Sequence, residues 1–198
     1  MHIADGIIPN IWCGVAHAVA WTGVYALGRR IETEEVVRLG MLASANFVVS
    51  LIHFPLGATS VHLGLYGLIG ILAGRRAFPV IFAALLLQSF LFQHGGLLSL
   101  GINAVNIGGG ALLAAALWRT GAGPESLRAF LCGFLGVAAP ALLIAIEFSL
   151  TGYGKGFFFM TALYLGAAAL EGALTAAVVA FLRRARPEFL ARPFAPAS

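Results

Sequence analysis

Residues 127–150 read LRAFLCGFLGVAAPALLIAIEFSL, with Arg128 and Glu147 as the charged side chains in the stretch. A helix rises 1.5 Å per residue, so about 20 apolar residues cross the hydrocarbon core of a bilayer. The stretch therefore predicts a transmembrane helix. The rest of the chain has the same character: it is 60% hydrophobic and 10% charged, with a mean hydropathy of +0.94. A soluble domain carries about 25% charged residues, so the composition excludes one.

Apolar segments of this kind recur along the chain and predict an all-α membrane protein, a bundle of seven transmembrane helices in a single domain, 1–198. Three of the segments are short for a complete crossing, and we expect flanking loops buried within the protein to complete them. The predicted helices are 7–27, 36–54, 62–74, 78–93, 104–118, 127–150 and 157–182.

The positions of the basic residues predict the orientation. Eleven of the twelve Lys and Arg side chains fall at connections on one side of the predicted bundle, and Lys155 is opposite. The positive-inside rule makes the basic side cytoplasmic. We therefore expect an N-terminus outside, a cytoplasmic C-terminus and a multi-pass location in the inner (plasma) membrane. The basic pI reflects this topology and does not indicate a nucleic-acid partner.

The N-terminal segment, residues 1–6, is a candidate metal chelator. Met1 and His2 offer an α-amine, a backbone amide and an imidazole, which can close fused five- and six-membered rings around one ion. Imidazole suits several transition metals, and a square-planar nitrogen set suits Ni(II) or Cu(II). The start of the chain lacks the charged region and cleavage site of a signal peptide, so we expect Met1 to persist. A chance His at position 2 is the alternative.

His62 is the candidate for the fourth nitrogen, because the predicted third helix begins there on the outer side with Met1. A hydrogen-bonded histidine at a helix end is the alternative. The polar, glycine-rich stretch 94–103 predicts a loop folded over the outer end of the bundle. The candidates for supporting or lid roles are Asp5, Ser60, His94 and Asn103, with helix capping as the alternative for Asp5.

Glu147 and Glu171 lie within predicted helices, where acidic side chains are functional candidates. We expect them to pair with polar groups, with a cation access path as the alternative. His17 and His53 are expected to hydrogen-bond between helices.

Four stretches of the chain have a recognisable sequence: MHIADG (1–6), GATSVHLGLYGLIG (57–70), LLLQSFLFQHGGLLSLGINAVN (85–106) and EGALTAAVVAFLRRARPEFL (171–190). They resemble the CbiM/NikM family, the substrate-binding membrane components of energy-coupling-factor transporters for cobalt and nickel. The resemblance implies a seven-helix fold and a metal site made by the Met1 amine, the His2 amide nitrogen and imidazole, and the His62 imidazole. It also implies a membrane coupling (T) subunit and partner ATPase subunits, and leaves open a small accessory membrane subunit. SVHL around His62 is more similar to the nickel branch, and the Ser-His-Pro of the cobalt branch is absent.

The motifs favour a transporter subunit over an enzyme. The string GYGKGF (152–157) lacks the glycine spacing and the Ser/Thr of a Walker A loop, so ATP hydrolysis must come from another chain. The five histidines include no pair at i, i+4, which argues against a metalloenzyme of the HExxH type. We expect Ni2+ as the transported substrate, with Co2+ for cobalamin synthesis, or a gradient-driven metal permease, as alternatives.

Overall fold

The computed structural model describes the backbone of residues 2–56, 59–152 and 157–190, and the side chains of these residues except 53–61 and 157–160. The described part is nearly all helical. It also contains a short antiparallel hairpin of strands β1 (His53–Leu56) and β2 (Thr59–His62), and 3-10 turns at Gly74–Arg76 and Pro187–Phe189. The α-helices are α1 (Asn10–Gly28), α2 (Thr33–Val49), α3 (Tyr66–Ala73), α4 (Ala77–Phe92), α5 (Leu100–Arg119), α6 (Glu125–Leu150) and α7 (Phe157–Ala185).

Five helical stretches within the described ranges are long and apolar enough to cross a membrane. The prediction of a helical membrane protein is therefore confirmed in this general form, whereas seven crossings and their direction stay predictions. Helix α2 has 17 residues and carries Glu34 and Glu35 in its first turn, and it is outside the five. The five stretches are Asn10–Gly28, Tyr66–Phe92 (α3, the 3-10 turn and α4), Leu100–Arg119, Glu125–Leu150 and Thr161–Ala185.

The predicted boundaries of the second and third helices are wrong, because the chain between them is extended. Helix α2 ends at Val49, and His62 ends strand β2 opposite His53 instead of starting a helix. Helix α3 begins only at Tyr66, after Leu65 with a left-handed φ of 49°. An all-α description therefore omits the hairpin that carries His62.

Helix α3 lies at the centre of the bundle, in direct contact with the backbones of α5 and α6. A Cβ at Gly67 would lie 2.1 Å from the Cys132 carbonyl oxygen, and one at Gly70 would lie 2.3 Å from that of Ala111. Only glycine allows such close backbone approach. The extended chain that precedes α3 is thereby held against the middle of the bundle.

Helix α1 lies at the periphery of the bundle. Ile11, Val15 and Tyr25 are exposed on it, and only a small share of the helix is buried. An apolar helix with exposed aliphatic side chains is suited to contact with lipid tails. The N-terminal segment that precedes α1 is, in contrast, inserted into the bundle.

Arg76 anchors the connection between α1 and α2 from the 3-10 turn. Its guanidinium is 2% exposed and donates to the carbonyl oxygens of Leu27 (2.6 Å) and Arg29 (3.0 Å). It also pairs with the Glu35 carboxylate at 3.2 Å. A buried arginine is tolerated when several acceptors surround it. This contact fixes the predicted cytoplasmic ends of α1 and α4 next to each other.

Candidate metal centre

The N-terminal segment is docked into the bundle through Ile3, which is fully buried. The Ile3 backbone N–H donates to Asn103 Oδ1 at 2.8 Å, and Asn103 Nδ2 donates to the Ile3 carbonyl at 2.9 Å. Asn103 is itself 1% exposed, in the first turn of α5. One side-chain amide thus satisfies both backbone groups of Ile3, as a neighbouring strand would. Asn103, a candidate for a supporting or lid role, thus binds the segment that carries His2.

Asp5 forms the second attachment of the N-terminal segment. Its carboxylate accepts hydrogen bonds from the Ser99 backbone N–H (2.8 Å), the Ser99 hydroxyl (2.7 Å) and the Leu98 N–H (3.3 Å). Burial opposes ionisation, but these hydrogen bonds prevail and hold the pKa of Asp5 below its usual value. The carboxylate therefore binds the backbone directly before α5, at Ser99, ninety-four residues further along the chain, and does not cap the helix that follows it in sequence.

Two glycines between α4 and α5 make room for the segment. Gly95 and Gly96 both have positive φ, +87° and +74°. A Cβ on Gly96 would lie 2.2 Å from Cγ of Asp5, and one on Gly95 would lie 3.2 Å from Cβ of His2. A glycine-rich loop is thus present between α4 and α5, and its position at the outer end of the bundle stays a prediction. It is shorter than the predicted 94–103, because α5 already begins at Leu100.

The docked segment places His2 against His62. His62 Nε2 lies 3.1 Å from His2 Nδ1, and the two rings are stacked with centroids 4.9 Å apart. His62 Nδ1 lies 3.1 Å from the Leu63 carbonyl oxygen, which requires that nitrogen to carry the proton. The Nε2 of His62 then keeps its lone pair toward His2. His2 Nδ1 then donates to His62 Nε2, so these two nitrogens can serve one metal ion once the Nδ1 proton leaves.

His94 adds a third imidazole to the cluster. One potential ligand atom from each of His2, His62 and His94 lies within 4.8 Å of the other two. The His94 ring is perpendicular to that of His2, at 84°, with centroids 4.4 Å apart. His62 is buried, and the other two are half-buried. Three converging imidazoles within an apolar bundle suit a first-row transition-metal ion.

Glu171 supports the chain that leads away from His62. It lies in α7, is 2% exposed, and accepts hydrogen bonds from the backbone N–H groups of Gly64 and, at 2.8 Å, Leu65. Asn46 Nδ2 donates to the Gly64 carbonyl. These side chains replace helix hydrogen bonds, which is the physical reason that α3 starts later than predicted. Glu147 has the pairing role that we expected, since it accepts from Asn106 Nδ2 at 2.8 Å.

The structure therefore brings together five of the residues that sequence analysis selected. Met1 lies outside the described residues, and so does the side chain of Ser60. His17 hydrogen-bonds to loop carbonyl oxygens, at 3.0 Å from those of Leu97 and Leu98, and lies outside the cluster. Sequence analysis missed Asn46, which lies within the predicted second helix. The five residues brought together are His2, Asp5, His62, His94 and Asn103.

A cluster of three imidazoles, one buried and two half-buried, in an apolar helical bundle can bind a transition-metal ion. The chain belongs to the CbiM family, described as the cobalt uptake substrate-specific transmembrane region, which matches residues 2–189. The family consists of metal transport proteins, so the chain is a membrane transporter component and not an enzyme.

Named relatives include both cobalt and nickel transport proteins. The cobalt transport protein CbiM of Sorangium cellulosum is 32% identical, over 97% of this chain and 95% of the relative. CbiM of Geobacter sulfurreducens is 34% identical, over 97% of this chain and 62% of the relative. The fused nickel transport protein NikMN of Rhodobacter capsulatus is 30% identical, over 100% of this chain and 66% of the relative. This chain thus spans about two thirds of the length of the last two.

A solved structure shares the fold. The crystal structure of a transition metal transporter superposes with a TM-score of 0.79 over 93% of each chain, at 24% sequence identity. A truncated transition metal transporter superposes with a TM-score of 0.77.

Proposed function

We propose that this protein is the substrate-specific membrane component of an energy-coupling-factor transporter that captures Ni2+ from outside the cell. The observation that carries the proposal is the 3.1 Å approach of His62 Nε2 to His2 Nδ1, with His2 on a segment docked by Asn103 and Asp5. The ion is the transported substrate. Its ligands are the Met1 amine, the His2 amide nitrogen, His2 Nδ1 and His62 Nε2.

Ring closure supports this ligand set. A six-membered chelate ring that includes the His2 amide nitrogen requires Nδ1 of the same residue, and Nδ1 is the atom that faces His62. With metal–nitrogen bonds of about 2.0–2.1 Å, neighbouring ligands of a square plane lie about 2.9 Å apart. The observed 3.1 Å is close to that value and far from the roughly 4.1 Å between opposite ligands. His62 therefore fits beside His2 Nδ1 in the plane, opposite the amide.

The planar set favours Ni2+ over Zn2+, which prefers a tetrahedron. Four nitrogens in a plane, including a deprotonated amide, give a d8 ion its preferred geometry. Co2+ is the alternative substrate, since relatives of similar identity are named for each metal.

For the topology we propose seven crossings, with the N-terminus outside and the C-terminus in the cytoplasm, in the inner (plasma) membrane. Reversal of the chain at Gly74, with φ +56° and ψ −130°, supports counting Tyr66–Phe92 as two crossings. His62, which precedes α3, and His94, which follows α4, meet in one cluster, so the chain between them leaves one end of the bundle and returns to it. Helix α2 supplies the seventh crossing.

Inward release needs energy, because a four-nitrogen chelate holds its ion tightly. The sequence has no Walker A loop, so we propose ATPase subunits and a membrane coupling (T) subunit as partners. A small accessory membrane subunit is a further candidate, because a relative named as fused extends well beyond the match to this chain.

Calorimetric titration of the purified protein in detergent with Ni2+ and with Co2+ tests the ligand set. We expect tight Ni2+ binding that is lost on insertion of one residue before His2, on acetylation of the terminus, and in His62→Ala. The same residue added after Ser198 is the matched control and should leave binding intact. Unchanged nickel affinity after the insertion would refute the chelate, and uptake by cells that persists without ATP would favour a gradient-driven permease.

A further inference from the structure

The third imidazole, His94, is not used by the planar ligand set. Its ring contacts that of His2 edge-to-face, with centroids 4.4 Å apart, and lies 5.5 Å from the His62 centroid. We propose that His94 is the apical fifth ligand of the transported ion and that it sets how well Co2+ competes with Ni2+. This inference rests on the proposed function, since it concerns the same ion.

Ring orientation supports the apical position. The rings of His2 and His62 differ by only 23°, and the fused chelate rings put the coordination plane close to the His2 ring. An imidazole donates through a lone pair in its own ring plane, so an apical imidazole must stand perpendicular to the coordination plane. His94 is inclined at 84° to His2 and at 77° to His62, as this requires.

The backbone of His94 is anchored where the ring needs support. Its N–H donates to the Gln88 carbonyl at 3.2 Å, and its carbonyl oxygen lies 3.4 Å from Ser89 Oγ, which is closer to the Gly96 carbonyl, at 3.1 Å. Gly95, the next residue, lies against His2 and Asn103. The loop therefore brings His94 to the cluster together with the docked N-terminal segment. The potential ligand atom of His94 lies within 4.8 Å of those of His2 and His62. Neighbouring ligands of one ion lie about 2.9 Å apart, so a shift of about 2 Å, which side-chain rotation provides, brings His94 to bonding distance.

The fifth ligand acts differently on the two ions. Low-spin d8 Ni2+ is satisfied by four planar nitrogens and gains little from an apical donor. Co2+, with seven d electrons, gains more from a fifth nitrogen. Loss of a single supporting group at a metal site costs about 10- to 100-fold in affinity. We therefore expect His94→Gln to weaken Co2+ binding by about that factor while Ni2+ affinity changes by less than about threefold.

The test is X-ray absorption spectroscopy of the Co2+- and Ni2+-loaded protein, combined with competitive titration of the two ions. Wild type should show three coordinated imidazoles with Co2+, and His94→Gln should show two. Gln93→Ala, which changes the neighbouring exposed side chain of the same loop, is the matched control and should behave as wild type.

The outcomes separate this inference from the proposed function. Two coordinated imidazoles in Co2+-loaded wild type, together with an unchanged ratio of Co2+ to Ni2+ affinity in His94→Gln, would overturn the apical role and leave the planar site intact. Undiminished binding of both ions in His62→Ala would instead refute the planar site. A loss of Ni2+ and Co2+ affinity in equal measure in His94→Gln would assign His94 to docking of the segment and also overturn the apical role.

Discussion

Replacing Asn103 by alanine should detach the N-terminal segment and weaken metal binding. The change removes two buried hydrogen bonds, of 2.8 and 2.9 Å, and leaves the Ile3 N–H without its acceptor. Two such bonds at about 1 kcal/mol each, plus up to about 2 kcal/mol for the stranded N–H, give a loss of about 2–4 kcal/mol. The Ile3 carbonyl lies 2.8 Å from the Ser99 hydroxyl, but the single hydroxyl proton is shared with Asp5, so this contact offsets the loss only in part.

A loss of this size shifts the docking equilibrium by roughly 30- to 1,000-fold. In the proposed site the ion binds only when the segment is docked, so the apparent affinity falls in proportion to the fraction of protein that remains docked. We expect calorimetry to show Ni2+ affinity reduced at least about tenfold, and hydrogen exchange at the Ile3 amide to accelerate.

Asn106→Ala is the matched control for this variant. Asn106 is equally buried, lies one turn further along α5, and donates one hydrogen bond to Glu147 at 2.8 Å, away from the N-terminal segment. It should lower thermal stability while preserving nickel affinity. If Asn103→Ala binds Ni2+ within about twofold of wild type and Ile3 stays protected, the docking argument fails.

Three further predictions concern the residues around the cluster. Gly96→Ala should reduce Ni2+ affinity by more than about tenfold in titration, because the added Cβ would overlap Asp5. Gly121→Ala is the control, since Gly121 has a similar positive φ but open surroundings, and equal effects of the two substitutions would contradict the steric argument. Glu171→Gln removes one hydrogen-bond acceptor for the backbone beside His62, so it should lower the melting temperature and reduce Ni2+ affinity about tenfold. A lower melting temperature with unchanged Ni2+ affinity would refute the idea that Glu171 positions His62. Because the pKa of Asp5 is lowered in the folded protein, its contribution to docking is complete above the unfolded pKa of about 3.9 and is lost as pH falls through the folded pKa. Asp5→Asn should therefore weaken Ni2+ binding by the same factor at every pH between about 5 and 8 in titration; a factor that varies across that range would exclude this assignment.

Sequence patterns predicted the helices whose lengths follow from apolar composition, such as α5 and α6. They failed at His62, where local composition favours a helix but distant side chains decide. Glu171 is 107 residues from Gly64, and no local pattern announces that its carboxylate takes the backbone hydrogen bonds there. The His2–His62 pair was predictable, because a chelate with three nitrogens from Met1 and His2 needs a fourth donor. The orientation of the His94 ring depends on the turn at Gly95 and Gly96, which no sequence pattern specifies.

The hold of Glu171 on Gly64 and Leu65 has a consequence for biosynthesis. Strand β2 leaves the ribosome early, but the carboxylate that fixes its continuation belongs to the last helix, so the imidazole pair cannot be set in place until α7 has been made and packed. A nascent or prematurely terminated chain therefore presents scattered histidines in place of a clamp. Under the proposed function, metal capture is thereby confined to chains in which α7 has packed against the segment that follows His62.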